Sequence, residues 1–379
     1  MLKEVRILDA RVISPDVFGP WQEALAASFR ARGIQASVVP VADSLKPPAT
    51  DHSLTLAFNL TRVWSSKNVN HFHLAWLVDP PYDHADFFFP QFSHIPVNPA
   101  TCMVGSVDRY WLAFARDIYL YPNAHFLPHP CLRESLTPPD WTNRDLDVVF
   151  FGAMEDTDAL RETLLANAGP FRPMLEALVE QYSFAAGRLL EQALMDALRP
   201  FNLEKKQTLF VVNAFLGKLA RYHRVLERVR LFRSIRRATI HVFGQGPWPQ
   251  LKLGANIRVH DRIPYAEAVQ VMTRAKILLN CTSAHRGGGH ERMFDAVTGG
   301  CYILSTWSDY LAEEFGTADG FGFYDWTPDW PADDVIERIL ADDDSPAKVI
   351  RSQQRAYERH RMGNRVATIC EIYERQFPT

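Results

Sequence analysis

Residues 275–306, AKILLNCTSAHRGGGHERMFDAVTGGCYILST, constrain the fold more than any other stretch of the chain. Two apolar runs too short for helices flank a segment with room for one helix. Ile277, Leu278 and Leu279 read as a buried parallel strand, and residues 301–305 repeat that signature after Gly299 and Gly300. A strand, a helix and a second apolar strand specify an α/β unit rather than a bundle or a sandwich. The turn before the helix holds His285, Arg286, Gly287, Gly288, Gly289 and His290. Successive glycines allow positive φ and close approach of backbone to a ligand, and the N-terminus of a helix over residues 291–297 offers N–H groups to an anion. A phosphate fits there. Arg286 and Arg292 add charge and planar donors, and Asp295, one turn beyond Glu291, is placed to accept from a ribose. Glycines before a helix also make plain turns, and an arginine there also pairs with surface carboxylates. The arginines, histidines and carboxylates gathered around these glycines, between apolar strands, favour a ligand loop.

A chain of 379 residues exceeds one ordinary hydrophobic core, so two domains are expected. Hydrophobic residues at 47% and charged residues at 22% fit a globular protein, and a formal net charge of -3 gives no basic field to attract nucleic acid. Cys102, Cys131, Cys281, Cys301 and Cys370 are scattered, with no CxxC pair, so neither a disulfide framework nor a zinc ribbon is indicated and a reducing cytoplasm is expected. No run reaches membrane-spanning length and the first residues lack the apolar core of a signal peptide. A peripheral contact with a membrane surface stays open.

In chain order, residues 5–8 with Val12 and Ile13 read as a first strand, residues 14–20 as a loop and residues 21–32 as an amphipathic helix ended by Gly33. Residues 35–41 supply the next strand, which makes a βαβ opening. Asp16 follows the first strand, at the edge where open α/β sheets bind ligands; its plain alternative is a helix cap. Strands are expected over residues 54–60 and 73–78, the second running into Asp79, Pro80, Pro81, Tyr82, Asp83 and His84. The prolines stiffen this loop, so Asp79, Asp83 and His84 are candidates for a sugar hydroxyl or a proton in transit, against the ordinary reading as loop caps. Phe87, Phe88 and Phe89 form an apolar patch that needs either packing or an acceptor. Strands at 102–106 and 124–127 flank a helix at 108–116.

Residues 138–144, PPDWTNR, suit an interdomain linker. The strand pattern restarts at 147–151, with Gly152 opening a loop. Residues 160–236 carry helical periodicity, an insertion broken by Pro170, Pro173 and Pro200, whose Lys218, Arg221, Arg224, Arg228 and Arg230 are most simply a solvated face. A strand at 239–243 runs into Gly244, Gln245 and Gly246, where backbone can approach a base or phosphate. Strand 256–260, helix 265–275, helix 310–315, strand 322–324, helix 331–341 and a long charged helical tail over 345–374 complete the chain.

Two α/β halves joined by a linker, with DVVFFG, IHVFGQG, YAEAVQVMTRAKILLN, ERMFDAVTGGCYILS, YLAEEF and GFGFY in that order, resemble the GT-B glycosyltransferases and, more closely, their CgeB-like members. The likeness covers residues 147 onwards except the helical insertion; WLVDPPY adds a shorter match in the first half. The resemblance implies two Rossmann-like domains facing a cleft. Residues 1–140 would form an acceptor domain and 145–350 a nucleotide-sugar domain with its insertion at about 160–236, while a C-terminal helix at 351–379 packs back on the first. It implies a cytoplasmic, metal-independent glycosyltransferase with no cofactor, moving a sugar from a nucleotide-sugar donor to an acceptor that is a glycan, a protein or lipid-linked. Arg292 would lie near the diphosphate, Asp295 at the ribose, Gly244 and Gln245 near base or phosphate, and Gly299 and Gly300 at close helix packing. Gly152, His285, Arg286, Gly288, His290 and Glu291 complete the expected donor set. Retaining GT-B enzymes often carry two glutamates eight positions apart, whereas here the position eight before Asp295 is Gly287. An inverting enzyme needs a base in the N-terminal half, with Asp16 first and Asp79 and Asp83 behind it. The alternatives are a sugar-nucleotide epimerase or hydrolase on the same fold, or a non-catalytic nucleotide-sugar-binding protein.

Overall fold

The computed structural model of the chain describes residues 1–11, 14–42, 50, 52–59, 72–82, 101–119, 123–182, 187–282, 284–316, 319–324 and 330–376. Val12, Ile13, Leu60, Asp83, His84 and Phe87, Phe88 and Phe89 lie outside them. The contacts divide the chain into two compact units: residues 1–134 with 287–294 and 356–379, and residues 135–286 with 295–355.

The first unit is built on a parallel sheet of β1 (Glu4–Leu8), β2 (Gln35–Val39), β3 (Ser53–Phe58), β4 (Phe72–Leu77), β5 (Cys102–Ser106) and β6 (Ala124–Phe126), in the order β2-β1-β3-β4-β5-β6. Every residue of β1, β3 and β5 is buried, as expected of parallel strands covered on both faces. Helix α1 (Pro15–Arg30) buries Phe18, Trp21, Leu25, Ala26 and Phe29, a single stripe at helical spacing. Residues 15–20, expected as a loop, therefore belong to the helix. Pro15 takes the first helical position, where its fixed φ fits and its missing N–H costs nothing, and Phe18 starts the buried stripe. Trp21 packs against Phe58, Trp76 and His129, with ring centroids 6.0, 6.1 and 5.2 Å away. Helix α2 (Arg109–Tyr119) follows β5, and a last helix, Met362–Gln376, lies on α1 and buries Val366, Ile369 and Tyr373.

The second unit holds β7 (Leu146–Phe151), β8 (Ile240–Phe243), β9 (Ile257–His260), β10 (Ala275–Asn280), β11 (Tyr302–Thr306) and β12 (Phe321–Tyr324), in the order β12-β11-β10-β7-β8-β9, every neighbour parallel. Numbered within the unit this order is 6-5-4-1-2-3, the doubly wound arrangement whose topological switch lies between β7 and β10. The insertion between β7 and β8 forms α3 (Thr157–Ala166), α4 (Arg172–Gln181), α5 (Leu190–Leu198) and α6 (Lys205–Ser234). Then come α7 (Tyr265–Arg274), α8 (Glu291–Thr298), α9 (Asp309–Phe315), α10 (Ala332–Ala341) and α11 (Ser345–Arg359); the last helix is α12. Residues 138–144 belong to this unit: Trp141 is buried, and the Arg144 guanidinium donates to the carbonyls of Ala275 and Gly299.

The basic residues of α6 are not one solvated face: Lys218, Arg221 and Arg230 are exposed, but Arg228 is buried, with its Nη1 2.6 Å from the Ala153 carbonyl and its guanidinium over the Phe150 ring. The loop after β7 has a carbonyl that needs a donor, and Arg228 is the one that reaches it. The helical tail expected over 345–374 is built of two helices, Ser345–Arg359 and Met362–Gln376. At the break the His360 carbonyl accepts from Cys131 N at 2.7 Å, and Asn364 caps the next helix by accepting from Arg361 N at 3.1 Å.

Candidate active site

At the carboxyl edge of the second sheet, the turns after β7 and β8 are laced together. Gly152 N donates to the Phe243 carbonyl at 3.1 Å and Met154 N to the Gln245 carbonyl at 2.8 Å. A Cβ on Gly244 would stand 2.0 Å from the Gly152 oxygen, and one on Gly246, whose φ is +148°, 2.4 Å from the Met154 oxygen. The GQG turn is therefore glycine-rich because backbone meets backbone. Gly152 itself sits where a Cβ would press the Phe150 ring at 2.9 Å.

Beyond that turn, a cavity of about 590 Å³ opens at the ends of β8 and β9, lined among others by Gly244, Gln245, Lys252, Val259, His260 and Asp261. The last residues of three adjacent strands close the edge beside it with stacked rings. Phe151 lies 5.3 Å from Phe243, and Phe243 4.6 Å from His260, at 20° and 14°. Strand register puts these rings opposite one another, Phe151 against Phe243 and Phe243 against His260. His241 stacks on His260 at 5.1 Å with Nδ1 2.9 Å from its Nε2, and burial followed by His260 holds the His241 pKa below its ordinary value.

On the switch side, Tyr324 donates to the Asn280 carbonyl at 2.7 Å at the end of β10. Burial, reinforced by Glu227, raises the Cys281 thiol to about 12, which keeps it protonated. Asp295 is fully buried in α8 and accepts from the Tyr265 hydroxyl at the start of α7. Arg286 pairs loosely with Asp309 at 3.6 Å, and His285 is buried with its N–H on the Thr282 carbonyl at 2.8 Å.

Residues 287–294, the glycine loop and the first half of α8, are grouped with the first unit, and Arg286 and Asp295 with the second. Within the first unit, Asp108 organises the loop. It is fully buried at the end of β5, accepts from Tyr110 N and Trp111 N at 2.8 and 3.2 Å, and takes Gly287 N at 2.8 Å on its other oxygen. A Cβ on Gly288 would meet the Val107 oxygen at 2.2 Å. The expected positive φ is absent from Gly287 and Gly288; what these positions require is room for the Val107–Asp108 backbone. His290 Nδ1 lies 2.6 Å from Glu291, Arg292 contacts the His290 ring through Nε at 3.2 Å and Nη2 at 3.0 Å, and His129 stacks on His290 at 6.0 Å. His290, Glu291 and Arg292 are thus brought together, and His129 joins them unforeseen.

Also in the first unit, Asp16 is exposed in the first turn of α1. Asp79, half-buried after β4, accepts from Asn59 Nδ2 at 2.8 Å, and the Asn59 oxygen caps Val78 N at 2.9 Å. Asp83 lies outside the described residues. Among those residues no group of three or more His, Cys, Asp or Glu side chains is placed to hold a metal ion, and no helix is long and apolar enough to cross a membrane. Asp108, Tyr265 and His129 escaped the reading of the sequence. Asp108 carried a signal, an Asp directly before a helix and after a strand, which is the usual site of a cap.

Residues 224–371 match the family described as "Glycosyl transferase-like". No curated protein matches the chain in sequence. Among solved structures, a glycosyltransferase from Rickettsia africae is similar over 100% of this chain and 99% of its own, at 10% identity and a TM-score of 0.56. Sucrose-phosphate synthase from Thermosynechococcus elongatus is similar over 98% of both chains, at 10% identity and a TM-score of 0.56. A DNA-modifying β-glucosyltransferase, described with its substrate uridine diphosphoglucose, covers 98% of this chain and 99% of its own at 10% identity and a TM-score of 0.52. The two parallel six-stranded sheets with their helices have the fold of the GT-B glycosyltransferases, and residues 224–371 match a glycosyl transferase-like family model.

Proposed function

We propose that this chain is a GT-B glycosyltransferase of CgeB-like type. In this reading it takes a sugar from a nucleotide-sugar donor bound on the second unit and passes it to an acceptor nucleophile bound on the first. The observation that carries the reading is the cavity beside the ring ladder at the ends of β8 and β9, one strand from the switch point of a doubly wound sheet, where such folds bind nucleotides. A base stacks readily on such rings, and Gln245 and Asp261 offer it hydrogen-bonding edges. The fold-mate that acts on uridine diphosphoglucose supports a donor of that kind.

In this reading Asp295, oriented by Tyr265, accepts from the ribose, and Arg292 meets the diphosphate through its guanidinium. His285, Arg286, Gly288, His290 and Glu291 shape the loop around the donor. Asp16 is the acceptor base and Asp79 its reserve. The leaving diphosphate is stabilised by side chains and helix N-termini without a metal, in a cytoplasmic enzyme. The acceptor is a glycan, a protein or a lipid-linked group.

The test is thermal unfolding against a panel of nucleoside diphosphates and nucleotide sugars, followed by donor turnover. A ligand of the folded state adds about 2.7 kcal/mol of stability at a hundredfold excess over its Kd. One base family should raise the midpoint, and no shift with any nucleotide overturns the reading. Isomerised or hydrolysed donor without acceptor would instead identify an epimerase or hydrolase, and binding without any turnover a non-catalytic binder. Asp16→Asn should keep the thermal shift and abolish transfer.

A further inference from the structure

The loop that follows β11 presents an aromatic group that neither the fold nor the donor set above uses. Trp307 is 45% exposed, the largest side chain so open among the described residues, yet it is not loose. Its indole Nε1 donates to Asp309 Oδ1 at 2.7 Å, and its ring leans on Phe323 of β12 at 5.1 Å and 56°. Asp309 is itself held, through its N–H on the Arg286 carbonyl at 2.8 Å and its carboxylate facing the Arg286 guanidinium at 3.6 Å. As the residue before the Ser308 cap of α9, a tryptophan would ordinarily fold down onto the helix. Here it is pinned by hydrogen bond and ring contact with nearly half its surface left to solvent.

Its place on the sheet gives this arrangement a meaning. In the order β12-β11-β10-β7-β8-β9, the cavity lies at the ends of β8 and β9 and Trp307 directly beyond β11. From β8 to β11 are three strand spacings, about 14 Å. A nucleoside diphosphate laid along the carboxyl edge, base in the cavity, crosses the switch point with its phosphates and delivers its sugar to the end of β11. A pyranose ring has a face of C–H groups that packs on an indole and a rim of hydroxyls that needs donors and acceptors, and Arg286 and Asp309 supply both within the same cluster. We propose that Trp307 is the platform for the hexopyranose of the donor, with Asp309 and Arg286 as its positioning residues. This rests on the glycosyltransferase reading and adds the residue that distinguishes a sugar-bearing nucleotide from a bare one.

The experiment measures Kd by calorimetry for UDP, dTDP, GDP and ADP, each alone and as its hexose conjugate, in wild-type protein, Trp307→Ala, Trp307→Leu and Trp307→Phe. The alanine and leucine variants should bind the preferred bare diphosphate as wild type does, and its hexose conjugate about tenfold more weakly. Trp307→Phe, which keeps a flat ring, should recover most of that loss. Trp307→Leu keeps apolar volume without a ring face and carries the test should the alanine variant not fold. Equal weakening of both ligands, or of neither, overturns the platform and leaves the nucleotide site standing. Absence of binding by any nucleotide to wild type overturns both.

Discussion

At the scale of single residues, the glycines of this chain are explained by neighbours more than by ligands. Gly244 and Gly288 stand where a Cβ would lie 2.0 and 2.2 Å from backbone oxygens. Gly244→Ala should therefore lower stability by roughly 3 kcal/mol in urea unfolding, because the Gly152 turn has no side chain to move aside. An unchanged midpoint would mean that the two turns separate freely. A second residue gives the molecule a pH dependence. His223 is buried against Tyr182, their rings 5.0 Å apart, and burial lowers its pKa from 6.5 to about 4. The unfolded chain binds the proton first, so this group is neutral in both states at pH 7 and destabilises as pH falls through 6.5 towards 4. At pH 5 the loss from this residue should be about 2 kcal/mol, and His223→Gln should remove that part of the slope. Equal slopes in both proteins would contradict the assignment. The glycine cluster at 287–289 was visible in the sequence as something unusual. Its cause was not, since the backbone it accommodates, Val107 and Asp108, is remote in sequence and identifiable only once β5 is in place.

At the scale of elements, helices and strands were legible wherever a run was locally complete. The strands β5, β7 and β10 announce themselves by buried apolar runs, and α6 by its periodic leucines, valines and phenylalanines. What escaped were boundaries set by contacts elsewhere. Residues 15–20 are helical because Phe18 completes a buried stripe, and the 345–374 stretch breaks because the His360 carbonyl is taken by Cys131. The segment 138–144 shows the same effect, for its arginine ties together elements it does not adjoin. Arg144 donates to Gly299 at 2.8 Å, to Pro138 at 3.3 Å and to Ala275, at the end of α8 and the start of β10. Arg144→Ala leaves these carbonyls without their donor and should cost about 3 kcal/mol, measured by the shift in urea midpoint at constant slope. Restoration by Arg144→Lys should be partial, since one ammonium does not reproduce the guanidinium fork. Asp333 plays a similar part in α10, its carboxylate taking the N–H groups of Arg236, Arg237 and Ala238 at 2.9, 2.9 and 3.0 Å before β8 begins. Asp333→Ala should lower stability by about 2 kcal/mol, and a shift within the error of the urea midpoint would remove Asp333 from the anchoring of β8.

At the scale of the whole molecule, the α/β class was readable because two series of short apolar runs alternate with helices. The order of strands was not, because pairing is a property of the sheet and no local pattern records it. The first unit is assembled from three separate lengths of chain, residues 1–134, 287–294 and 356–379. That division has a consequence for how the protein is made. Residues 1–134 leave the ribosome before Met362–Gln376, the helix that covers α1, and at 5–20 residues per second the interval is on the order of tens of seconds. Throughout that time the nascent α1 has no α12 against it, whereas the second unit closes its own sheet earlier, once β12 has emerged. Removing residues 356–379 should make the interval permanent, giving a protein that binds 8-anilinonaphthalene-1-sulfonate and aggregates through its first unit. The unit whose strands emerge before those of the other is thus the one whose core stays open longer during synthesis.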